Sequence, residues 1–123
     1  MTFSLNTKIV YPDNVNEIKN AIILLHGYGG DSNDISILTL SWKRFLPNTI
    51  FLCPNGHEPC SINPNGFQWF DLSRDDPKYI LEETIKAEVK LKSFIEEINL
   101  SISSAIFFRL GLARSIALLS RCK

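Results

Sequence analysis

The sequence has little that would tie it to a membrane, a nucleic acid or an oxidising compartment. Thirteen basic side chains balance thirteen acidic ones, and no basic run breaks that neutrality. This argues against a nucleic-acid surface or an anionic-lipid anchor. The N-terminus, MTFSLNTKIVYPDN, has no positive segment leading into an apolar one, so no secretory leader is expected. The longest apolar stretch, Ile102 to Leu119, is interrupted by Arg109 and Arg114 and is not expected to span a bilayer. Three cysteines in no framework spacing suit a reducing cytoplasm better than secretion. There is no internal repeat and no low-complexity tract. With 123 residues, 45% of them hydrophobic and 21% charged, the chain reads as one soluble globular domain, residues 1–123, or part of one.

The central stretch is Ala21 to Asp34, AIILLHGYGGDSND. Ala21-Ile22-Ile23-Leu24-Leu25 is too short for a buried helix and suits a strand covered on both faces. Then come His26, Gly27, Tyr28, Gly29 and Gly30, and an Asp31-Ser32-Asn33-Asp34 cluster that reads as a helix start. A buried strand, a glycine turn and a helix N-terminus can gather backbone N–H groups around an anion or an oxyanion.

Phe3 to Tyr11 is expected to be an edge strand or hairpin arm. Ile35, Leu38, Trp42 and Phe45, flanked by Ile37 and Leu46, mark an amphipathic helix over residues 34–45 that ends at Pro47. Thr49 to Cys53 is a second buried-type strand, which completes a βαβ unit and hence a parallel sheet. Residues 54–77 lack periodicity and carry Phe67, Trp69 and Phe70, a trio that fits a plug under the loop better than a ligand platform. Asp71, Asp75 and Asp76 read as turn and cap residues, with Pro77 in the first helical turn. Tyr79 to Asn99 is a helix with one broad stripe from Leu81 through Ile98 and favourable Glu82–Lys86 and Glu88–Lys92 pairs. Ser103 to Leu110 is expected as a third buried strand and Leu112 to Ser120 as the start of another helix. The fold class is α/β.

Leu24 to Asp31 (LLHGYGGD), Cys53-Pro54-Asn55 and Gln68-Trp69-Phe70-Asp71, in that order and spacing, resemble the phospholipase/carboxylesterase and acyl-protein-thioesterase group of α/β-hydrolases. The resemblance runs from about Ile9 to Leu112 and covers the N-terminal half of such a protein. It implies a three-layer, mostly parallel sheet and a serine hydrolase that acts on a small-molecule or acyl ester or thioester without a cofactor. It makes His26, Gly27, Tyr28 and Gly29 the oxyanion loop, with the Tyr28 N–H as one donor, and puts Trp69 on the substrate side. The nucleophile would sit in a G-x-S-x-G elbow. Laid on Gly111-Leu112-Ala113-Arg114-Ser115, that pattern leaves Ala113 at the nucleophile position and Ser115 in place of the last glycine. Ser115 itself reads as a helix serine rather than a displaced nucleophile.

In this fold the acid and the histidine follow the elbow, and neither His26 nor His57 does. The expectation is therefore a truncated hydrolase, ending after the strand and helix of the elbow and inactive alone. The alternatives are a pseudo-enzyme binding module that self-associates, or a split half complemented by a C-terminal fragment. Cys53, His57 and Cys60 give C-x3-H-x2-C, with only the distant Cys122 as a fourth ligand. A closed zinc site wants four paired ligands, so free cysteines and no metal are expected there.

Overall fold

The computed structural model describes the backbone of residues 2–110 and 115–120 and the side chains of residues 2–101. Its elements in chain order are β1 (Thr7–Val10), β2 (Asn20–Leu25), α1 (Ser32–Ser36), α2 (Leu38–Trp42), β3 (Thr49–Pro54), β4 (Glu58–Pro59), β5 (Phe67–Gln68), α3 (Pro77–Leu110) and β6 (Ser115–Ser120). The main sheet has the order β1-β3-β2-β6. β2 runs parallel to β3, with Asn20 opposite Thr49 and Ile23 opposite Leu52. It also runs parallel to β6, with Asn20 opposite Ser115 and Leu25 opposite Ser120. β1 joins β3 antiparallel at the edge, so the sheet is mixed.

The two apolar runs are covered on both faces, as their lack of alternation requires. Ala21, Ile23 and Leu25 of β2 and Ile50 and Leu52 of β3 pack with Phe94 and Ile98 of α3. The alternate residues Leu24, Phe51 and Cys53 pack with Ile35, Leu38 and Trp42 of the α1–α2 segment. A period of two thus sorts one strand into two cores, and the layers are α3, sheet, and α1–α2. Phe3 adds an edge-to-face contact with Phe94 at a centroid distance of 5.3 Å. The Glu97 carboxylate accepts the Ser4 N–H at 2.9 Å, which pins the N-terminal segment to α3.

The helix expected over residues 34–45 is two short ones, with Ile37 serving as C-cap of α1 and N-cap of α2. Leu38, Trp42 and Leu46, spaced by four, reach the core, and Phe45 does not. Phe45 is 71% exposed and lies under the Arg44 guanidinium at 4.9 Å. The loop of residues 54–77 is not structureless, since β4 and β5 pair antiparallel within it. α3 starts where Asp76 Oδ1 accepts the N–H of Lys78 at 3.1 Å and of Tyr79 at 3.4 Å, with Pro77 in the first turn. On its surface Lys92 pairs with Glu88 as expected. Lys86, however, pairs with Glu83 at 2.9 Å rather than with Glu82.

The largest correction lies at the C-terminal side. Ser103–Leu110 is the end of α3, not a strand, and Ser115–Ser120 is a strand, not a helix. Between Pro77 and Gly111 no glycine or proline interrupts the helix, and a short apolar run has no period that separates strand from helix. Ile116 to Leu119 is such a run, and β2 has a free edge for it to pair with. Gly111, Leu112, Ala113 and Arg114 lie outside the described residues, and so does the nucleophile position expected at Ala113. The flanking elements come as helix then strand, the reverse of the order that an elbow at Gly111–Ser115 requires.

Candidate active-site cradle

The three sequence motifs that lie apart in the chain meet at the end of β2. His26 is buried there, and both its ring nitrogens are engaged by backbone. Nε2 accepts the Gly56 N–H at 2.8 Å, so the ring proton sits on Nδ1 and is donated to Gly27 O at 2.7 Å. Trp69 stacks on the imidazole at a centroid distance of 5.4 Å and donates its indole N–H to His26 O at 3.1 Å. Trp69 is therefore held both by its face and by its polar tip.

The glycine turn is similarly fixed. Gly29 has φ +78°, the one positive φ among the described residues, and glycine reaches that region without steric cost. Its N–H goes to Phe67 O at 3.0 Å, and Gly30 O accepts the Phe67 N–H at 2.9 Å. Asn63 Nδ2 donates to Gly29 O at 2.8 Å. A Cβ on Gly66 would collide with that same carbonyl, so this close crossing admits only glycine.

Asp31 caps α1 by accepting the Asp34 N–H at 2.8 Å. Asn55 Oδ1 takes the buried Ser32 N–H at 2.7 Å, which joins the Cys53-Pro54-Asn55 motif to the turn. The expected pool of convergent donors is thereby narrowed. The N–H groups of Gly29, Gly30, Ser32 and Asp34 are committed inside the protein. Among the described residues, that of Tyr28 is given to no acceptor.

The Tyr28 side chain lies across the same rim. Its hydroxyl donates to Asp71 Oδ1 at 2.9 Å and lies 2.9 Å from Ser61 Oγ. Asp71 Oδ1 also accepts the Ser73 hydroxyl at 2.6 Å and the Ser73 N–H at 2.9 Å. These Ser73 bonds first, and Tyr28 after them, pull the Asp71 carboxyl down to about 2. Ser61 favours the Tyr28 phenolate, but desolvation and the Asp71 charge outweigh it and hold the phenol above its ordinary value. Asp71 is a turn residue, as expected, and also a clamp on Tyr28. Pairing of Ser61 or Asp71 with Tyr28 has no sequence signal, because the partners lie 33 and 43 positions away. Tyr28, Trp69, Phe70 and Leu72 enclose an apolar hollow of about 60 Å³. That is a notch, well below the several hundred cubic ångströms of a complete ligand site.

The geometry so far is a strand, a glycine turn in which the Tyr28 N–H is among those left uncommitted, and an apolar wall. The model of the phospholipase/carboxylesterase family matches residues 6–108, which takes in every part of this cradle. The chain belongs to the phospholipase/carboxylesterase family. Among solved structures it is similar to that of esterase PE8, with a TM-score of 0.73 and 30% sequence identity. The match covers 94% of this chain and 51% of esterase PE8, so the chain spans about half the length of that relative. Together they identify the fold as a partial α/β-hydrolase. No helix among the described residues is long and apolar enough to cross a membrane.

The expected oxyanion-loop residues His26, Gly27, Tyr28 and Gly29 thus sit beside the expected wall residue Trp69. Cys53, by contrast, is buried in the sheet, and burial pushes its thiol up to about 11. His57 lies with Glu58 and Glu83 instead.

Proposed function

We infer that this chain carries the oxyanion side of a carboxylic-ester or thioester hydrolase of the serine type, and that alone it turns over no ester. The Tyr28 N–H serves as one oxyanion donor, and the notch beside Trp69 takes one end of an acyl or alcohol group. The observation that carries the inactive reading is the state of the histidines rather than the elbow frame at Ala113. A serine nucleophile needs an imidazole nitrogen to take its proton. In His26 one ring nitrogen donates to Gly27 O and the other accepts from Gly56. Neither nitrogen of His57 has a hydrogen-bond partner among the described residues. Free, buried Cys53 and Cys60 suit a reducing cytoplasm.

The test is incubation of the purified chain with a fluorophosphonate and with short-chain p-nitrophenyl esters. No adduct and no turnover are expected. A stoichiometric serine adduct would overturn the inactive reading while leaving the family untouched.

A second reading is favoured by the outer face of α3, where Leu81, Ile85 and Val89 are 62%, 52% and 57% exposed. In that reading the chain is a binding module or one half of a split hydrolase, and this stripe meets a second copy or a C-terminal fragment. Light scattering after size exclusion distinguishes a monomer from an assembly.

A further inference from the structure

Beside Trp69, His57, Glu58 and Glu83 bring one imidazole and two carboxylates together. One ligand atom from each lies within 4.8 Å of the others. His57 and Glu58 come from the start of the β4–β5 ribbon and Glu83 from the second turn of α3, so the cluster joins two elements. Both imidazole nitrogens and Glu83 Oε2 are buried without a hydrogen-bond partner among the described residues. Buried polar atoms are seldom left so, because each forfeits its hydration without replacement. Here three such atoms belong to two side chains that face one another.

We propose that His57, Glu58 and Glu83 form a binding site for a divalent transition-metal cation of the zinc type, with one imidazole and two carboxylate ligands. The ligand types suit that class: imidazole favours zinc, copper and nickel over magnesium or calcium, and carboxylates neutralise the charge. Ligands on a tetrahedral zinc stand roughly 3.4 Å apart given bonds of about 2.1 Å, so closing the cluster takes about an ångström of side-chain movement.

The second layer is already in place. Gln68 Nε2 donates to Glu58 Oε1 at 3.1 Å, and Lys86 Nζ binds Glu83 Oε1 at 2.9 Å. Each of these carboxylates is thereby oriented through one oxygen, and in Glu83 the other is the orphaned one. The cation would tie the long loop to α3 beneath Trp69, whose ring centroid is 6.3 Å from that of His57. It thereby connects to the wall of the acyl notch, although the site does not depend on hydrolase activity.

The experiment titrates the full chain with zinc chloride by calorimetry, and a Trp42→Phe form with copper(II) while Trp69 emission is followed. The expected result is one zinc per chain and quenching of Trp69 at the same stoichiometry. Glu83→Gln, which keeps size and shape, and His57→Ala should each weaken binding about 10- to 100-fold, with folding checked by circular dichroism. A variant carrying Cys53→Ser, Cys60→Ser and Cys122→Ser should bind as the parent does. The proposal is overturned by absence of one-to-one binding to the parent chain. Affinity unchanged in Glu83→Gln, or lost in the cysteine-free variant, would overturn it equally.

Discussion

At the residue scale, two side chains hold the cradle more firmly than their neighbours. His26 accepts the Gly56 N–H, stacks on Trp69 and bonds Gly27 O. His26→Ala would leave a buried N–H without an acceptor and remove the face on which Trp69 rests. The expected loss is about 3 kcal/mol, read as a lower urea midpoint with an unchanged slope. Asp71 gives a pH effect whose sign follows from its depressed carboxyl, which moves from an ordinary 3.8 to about 2. The unfolded chain binds its proton first as pH falls, so the contribution is complete above about 4 and is lost as pH drops towards 2. Asp71→Asn should flatten the acid limb of the stability curve in that window, checked by thermal melts across pH. Sequence motifs located both residues, but their partners were legible only in space.

At the element scale, the helices differ in how far pattern predicts packing. In α3 the residues Phe94 and Ile98 are fully buried, whereas Leu81, Ile85 and Val89 of the same expected stripe face outward. A stripe that wide cannot all meet one sheet. Phe94→Ala should cost about 3–5 kcal/mol, because it opens a cavity beside Phe3 and the strands. Phe45→Ala should cost less than about 1 kcal/mol, since its ring touches chiefly the Arg44 head group. Chemical denaturation of the two variants side by side checks this contrast. If Phe45 proved the costlier, its exposed placement would be wrong.

At the scale of the whole molecule, β2 is the central strand, flanked by β3 and β6, and the cradle sits where it ends. If the outward stripe of α3 is a contact surface, then Leu81→Gln, Ile85→Gln and Val89→Gln together should abolish self-association at unchanged helicity. A monomeric parent chain would remove the ground for that reading. The sequence by itself determined the buried strands at Ala21–Leu25 and Thr49–Cys53, the parallel β2–β3 pair and the glycine turn. These depend on local periodicity and on residues such as Gly29 and Asp31 that impose a conformation on their own backbone. Only the tertiary structure decided the end of α3 and the pairing of Ser115–Ser120 with β2, because a short apolar segment adopts whichever element finds a partner. It alone brought His57 to Glu83 and Tyr28 to Asp71, since contacts between residues far apart in the chain leave no periodic trace in the sequence.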